Sequence, residues 1–210
     1  MKKGLIFALS ASAAISMATL SGCATMTDAM STAAGMGVVS TSRDNFNGGT
    51  NVSVSPMPLW APGSWGNQVQ LGAIWTSSAP DSVALEMSFR SNVNAAGSAY
   101  ASLSGMDIKV DGELTKWRTG APTSLNSSAY NTVSKTIYTS SSNAVVIPYA
   151  LLQRMVAAKD CRLRIYIGSS YEDAQFNLER IPGGQPTALL SIRKFMVKVD
   201  SMRAALPQGG

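Results

Sequence analysis

The two thiols are the residues with most chemistry to offer. Cys23 and Cys161 are the only cysteines among 210 residues, and histidine is absent. A thiolate is a nucleophile, but a hydrolytic triad also needs a base to activate its nucleophile. Without histidine the commonest base and the commonest metal ligand are both missing. A Ser–Lys dyad is the remaining option. Ser134 and Lys135 are adjacent, however, and neighbours along a strand point to opposite faces. The closest carboxylates are Asp107, Asp111 and Glu113, then Glu172 and Asp173. A glycosidase needs two carboxyls roughly 5–10 Å apart across a cleft, and an EF-hand needs oxygens at short regular spacing. The first group surrounds a hairpin turn and the second is an adjacent pair beside serines, so both read as solvated turn carboxylates. Gly35-Met36-Gly37 has no strand before it, and Gly183-Gly184 lacks the lysine of a P-loop. The expectation is therefore not an enzyme, with no catalytic, cofactor-binding or metal residue assigned.

The surroundings of Cys23 are more specific. Lys2 and Lys3 precede an uncharged stretch of apolar, Ser and Thr residues from Leu5 to Leu20. It is shorter than the roughly 20 apolar residues of a spanning helix and suits the apolar region of a secretory signal. Leu20-Ser21-Gly22-Cys23 then places two small residues between a leucine and the thiol. This tetrapeptide resembles the lipobox of bacterial lipoproteins. The resemblance covers this segment alone and implies cleavage after Gly22, a diacylglycerol thioether on Cys23 and acylation of the new amino terminus. Two or three acyl chains bind a bilayer far more firmly than a single myristoyl chain. Ala24 stands where an aspartate would imply retention in the inner membrane, so the implied address is the periplasmic face of the outer membrane. A plain secretory signal with a chance cysteine is the alternative. Loss of Lys2 and Lys3 with residues 1–22 lowers the formal charge from +5 to +3. Lipidation leaves Cys161 without an intramolecular partner. It opens the apolar run Cys161–Ile167 and reads as a buried, inert thiol, against a reactive or intermolecular one.

A hydrophobic fraction of 45 % is enough for a core and excludes wholesale disorder. A charged fraction of 14 % lacks the dense Lys/Arg stripe of a nucleic-acid binder. Residues 23–37 are small and unpatterned and read as a flexible tether, leaving 38–210 as a single β-rich domain. Val69-Leu71-Ala73-Trp75 and Val83-Leu85-Met87-Phe89 alternate with other residues as half-buried strands around the turn 79–82. Asp111-Gly112 between residues 106–110 and 113–118 is the strongest hairpin signal, and Asn45–Gly49 supplies another reversal. Strands are also expected over 38–44, 50–55, 135–139, 144–147, 161–167 and 171–178, with loops at 56–68, 91–104 and 119–134. Helical spacing over about 149–159 places Leu151, Leu152, Met155 and Val156 on one face. Pro186 opens a second helix to about 205, with Ile192, Phe195, Val199 and Met202 as its stripe and Pro207 as its stop. The pattern predicts a mainly β fold, an antiparallel sandwich or barrel-like domain with two helices.

Two features are candidate interaction surfaces. Trp60 and Trp65 stand in a proline-rich loop, where aromatics stack on sugars, anchor a protein or plug an open end of the sandwich. Residues 150–210 carry nine basic against five acidic residues, and Arg193, Lys194 and Lys198 lie off the apolar stripe of the second helix. That face is either simply solvated or turned to anionic headgroups, cell wall or an acidic partner. The expected function is that of a lipid-anchored envelope protein in a structural or protein-interaction role, with the membrane and a protein as partners and no nucleic acid. As a class it resembles bacterial outer-membrane lipoproteins, including small sandwich lipoproteins that are accessory subunits of secretion machines. The alternative is a glycan- or cell-wall-binding module using the Trp60/Trp65 loop.

Overall fold

The computed structural model describes residues 18–44, 48–62, 68–95 and 99–206, and of 18–25 only the backbone. Residues 1–17 of the expected signal peptide, the turn residues 45–47, Trp65 and the helix stop at Pro207 lie outside the described residues.

The chain runs α1 (Ala18–Ala33), β1 (Val39–Arg43), β2 (Thr50–Pro58), β3 (Val69–Thr76), β4 (Ser82–Asn92), β5 (Leu103–Val110), β6 (Glu113–Arg118), β7 (Ser124–Ser127), β8 (Tyr138–Pro148), α2 (Tyr149–Ala157), β9 (Cys161–Ile167), β10 (Ser170–Gln175) and α3 (Ala188–Ala204). The fold is mainly β, with two antiparallel sheets as the sequence predicts. A curled six-stranded sheet has the order β1-β2-β3-β4-β8-β7, and a four-stranded sheet the order β10-β9-β5-β6.

Period-two alternation explains the core. Val52, Val54, Leu71, Ala73, Trp75, Leu85, Met87, Val145 and Ile147 are all buried from the larger sheet. Leu103, Met106, Ile108, Leu163 and Ile165 are buried from the smaller one. The β5 and β6 strands approach β8, and α3 lies against β1, β2 and β3. Ile192, Phe195 and Val199 of α3 are fully buried, and Met196 and Met202 pack at the border. The α2 helix buries Tyr149, Leu151, Leu152 and Met155. Tyr149 donates to Asp200 Oδ1 at 2.8 Å while the Arg203 guanidinium stacks 4.7 Å from its ring, which clamps α2 to α3.

Several boundaries differ from the sequence reading, each for a local reason. The tether expected over 23–37 is helical as far as Ala33, so the described residues form three helices where two were expected. The loop expected from residue 56 still belongs to β2, because a bulge between Val54 and Met57 carries Pro56 past its partner strand. The two short strands expected over 135–139 and 144–147 form a single β8, paired along its whole length with β4. Lys135 precedes β8, in a turn and with φ +51°, not in a strand. The loop expected at 119–134 contains β7, a four-residue edge paired with β8. Asp111 (φ +46°) and Gly112 (φ +97°) make the expected hairpin turn.

Candidate functional site

The outer face of the four-stranded sheet is where the chain concentrates its ionisable side chains. Each of β5, β9 and β10 turns one face to the core and carries charge on the other. Register then decides which charges meet. In one row Asp173 faces Arg164, Arg164 faces Asp107, and Asp107 faces Lys116, so signs alternate across four strands. In the next row, one pleat repeat away, Gln175 faces Arg162, Arg162 faces Lys109, and Lys109 faces Leu114. The two rows differ in kind: the first is charge-matched, while the second sets two cations opposite each other.

Both carboxylates of the matched row are tightly bonded. Arg164 grips Asp173 in a two-pronged pair, Nε to Oδ1 at 2.7 Å and Nη2 to Oδ2 at 2.8 Å. Its guanidinium stacks 4.0 Å from the Tyr171 ring centre. That pair holds the Asp173 carboxyl below its usual range. Asp107 is only 7 % exposed and uses both oxygens: Oδ1 accepts from Arg118 Nη1 at 3.0 Å, and Oδ2 from the Tyr166 hydroxyl at 2.8 Å. Bonding to Asp107, with burial second, raises the Tyr166 phenol above its ordinary value. Arg118 also lies 4.7 Å from the Tyr166 ring centre.

Lys109 and Arg162 of the unmatched row line a groove of about 400 Å³ together with Leu114, Gln175 and Pro62. Arg162 meets Asp160 through Nε at 3.0 Å. Lys109 is exposed and makes no ion pair among the described residues. Like charges directly across an antiparallel pair oppose pairing, so the row gives up some sheet stability. What it provides is an ammonium, the free Nη groups of a guanidinium and an amide side by side on a rigid surface.

The proline-rich loop reaches this groove. Gln175 N donates to Trp60 O at 2.7 Å, an isolated bridge that pins the loop at the end of β10. Leu59 and Ala61 are buried while Trp60 between them is half-exposed. The buried residues of this segment are therefore Leu59 and Ala61, and the backbone of Trp60 sits against Gln175, which lines the groove.

The structure separates the basic residues of α3. Arg193 is bonded to Glu179, Lys194 is exposed beside a smaller cleft between α1 and α3, and Lys198 is half-exposed one turn further on. Cys161 is fully buried, and desolvation, with Asp160 and Asp111 nearby, pushes its thiol up to about 12. Of the acidic groups, Asp111 accepts from Lys159 N and Asp160 N and ties the β5–β6 turn to the start of β9. Asp107, read as a turn carboxylate, is instead a buried mid-strand residue, and the order β10-β9-β5 brings it to the same arginine as Asp173. The signal was present in the alternation Asp107, Lys109 against Met106, Ile108 and Val110, and in Arg162, Arg164 against Leu163, Ile165.

At the amino-terminal end Arg180 fastens α1 to the body. Its Nη2 donates to Asp28 Oδ2 at 3.0 Å, while Nη1 donates to Gly184 O at 2.8 Å and reaches Thr27 Oγ1 at 3.5 Å. Asp28 Oδ1 lies 3.0 Å from the same Nη1 but receives no hydrogen. Among the described residues no helix is long and apolar enough to cross a membrane. In comparison with known proteins the chain matches no family model, no curated protein and no solved structure.

Proposed function

We propose that the chain is a lipid-anchored envelope protein, held by acyl chains on Cys23 at the periplasmic face of the outer membrane. Its body serves a structural or protein-interaction role, as an accessory subunit of an envelope or secretion assembly. The observation supporting this reading is the short distance between the lipobox and an ion pair that docks α1 on the body. Asp28, five residues beyond Cys23, is paired with Arg180. Five residues of helix rise about 7.5 Å. An acyl group at Cys23 would then hold the body close to the headgroups in one attitude, as suits a fixed component of an assembly.

The test is mass spectrometry of the amino-terminal peptide from membranes, with Cys23→Ser alongside. The expected result is a thioether-lipidated, acylated Cys23 and loss of membrane fractionation in the variant. A bare first residue, processing elsewhere, or a processed Cys23→Ser protein that still fractionates with membranes would overturn the anchor. Capture from detergent-solubilised membranes tests the role, with a stoichiometric protein partner expected.

A second reading, a glycan- or cell-wall-binding module, draws on the half-exposed Trp60, whose backbone is pinned to Gln175 of the groove. Co-sedimentation with peptidoglycan that Trp60→Ala abolishes would favour it over the first.

A further inference from the structure

We infer that the groove on the outer face of the four-stranded sheet is a binding site for an oxyanion carried on a sugar-sized body, with Lys109 and Arg162 as its charge receptors. The inference rests on the second reading for the sugar class alone; the anion requirement comes from the sheet itself.

Three observations converge on it. First, Lys109 and Arg162 are register partners on one face, an arrangement that repels itself and that a bound anion would relieve. In the row beside it each charge has an opposite charge as its register partner. Second, the two donors differ usefully. Arg162 is steadied by Asp160 through Nε, which leaves both Nη groups for a planar two-oxygen acceptor. Lys109 supplies an unpaired ammonium beside it. Third, the surroundings are those of a compact ligand and not of a bare ion. The groove holds about 400 Å³, with Leu114 and Pro62 as apolar walls and Gln175 as an uncharged hydrogen-bonding residue; Asp107 and Asp173 also line it, with their oxygens engaged by Arg118, Tyr166 and Arg164.

Carboxylates and phosphates share this chemistry, so both are probed. Full-length protein in detergent is titrated with tetragalacturonate, glucose 6-phosphate and, as the uncharged control, cellotetraose, by calorimetry at 50 mM salt. At least one acidic probe is expected to bind, and the tighter one identifies the oxyanion. Binding should weaken steeply by 500 mM salt, and cellotetraose should bind at least tenfold more weakly. Lys109→Gln and Arg162→Gln are each expected to weaken the acidic probe fivefold or more, whereas Lys116→Gln, in the matched row, should leave it unchanged. Lys109 is exposed and unpaired, so its variant keeps the fold and carries the test if Arg162→Gln does not. No binding of either acidic probe at 5 mM overturns the inference, as does binding that Lys109→Gln leaves intact. Cellotetraose binding that falls with Trp60→Ala but not with Lys109→Gln would keep the glycan reading and overturn this one.

Discussion

Replacing Arg180 by methionine should release α1 without melting the sheets. The helix has little else to hold it. Met26 and Met30 are 66 % and 63 % exposed, and Ser31 is the one residue of the helix buried among those whose side chains are described. Among the side chains described no apolar stripe seats it, and an isolated helix of this length is marginal in water. Arg180 supplies the pair with Asp28 and the bonds to Gly184 O and Thr27 Oγ1. The side chains of the pair are about one-third exposed, 30 % for Arg180 and 36 % for Asp28, so solvent screening discounts the charge term. Roughly 1–2 kcal/mol is the net loss expected from this set of charge-assisted bonds, which corresponds to a factor of about 5–30 in local opening. Hydrogen exchange read by mass spectrometry should show the amides of residues 29–33 exchanging faster by that factor, with β3, β4 and β8 unchanged. Unchanged protection of α1 would refute the latch. Equal loss across the sheets would show that Arg180 serves the core instead.

Three further outcomes follow from single positions. Gly105 has φ +151°, and a Cβ there would overlap the Trp117 carbonyl on β6, so Gly105→Ala should cost about 2–5 kcal/mol in a urea titration, backbone strain and overpacking together. Burial raises the Glu86 carboxyl above the usual 4.5, which makes its ionised form a burden on the folded state. The protein should therefore lose stability relative to Glu86→Gln as pH rises from about 4.5 through the raised value, with equality below it, as read by thermal melts in a pH series. The Cys161 thiol, buried and pushed up to about 12, should resist a disulfide reagent at pH 8 until denaturant opens the core; reaction in the native state at the rate of a free thiol would contradict its burial.

The core was largely legible in the sequence, because alternation has one physical cause. Val83, Leu85, Met87 and Phe89 had to share a face; the first three are the buried apolar residues of β4, and Phe89 packs partly buried beside them. The hairpin at Asp111-Gly112 was legible for a similar reason: both residues carry positive φ, which few other pairs adopt readily. Two things were hidden. A bulge shifts register without changing composition, so Pro56 and Pro58, which read as loop, belong to β2. Docking of α1 depends on Arg180, 152 residues away in sequence from Asp28, and no local pattern foretells a contact of that range. The site was hidden in the same way. Arg162, Arg164 and Tyr166 were legible as an outward face, but the strand order that sets β9 between β5 and β10 decides what they oppose.

The contrast between the two outer faces shows why that order matters for function. On the larger sheet one outward row runs Ser40, Ser53, Ile74, Ala84, Val146, small or uncharged throughout, and it demands no compensation. The smaller sheet puts charge at most outward positions of β5 and β9, then sets opposite charges across from one another in one row and two cations across from each other in the next. A sheet selected only for stability would place Lys109 opposite an acid, as it places Arg164 opposite Asp107 and Asp173. Breaking a local rule beside a groove, on strands otherwise in register, is how a functional position differs from a structural one. Substituting Lys109 by glutamate should accordingly stabilise the fold by cross-strand pairing with Arg162, by about 0.2–1 kcal/mol, in a urea titration, while abolishing acidic-sugar binding. A variant no more stable than the parent would show that the row carries no strain for a ligand to relieve.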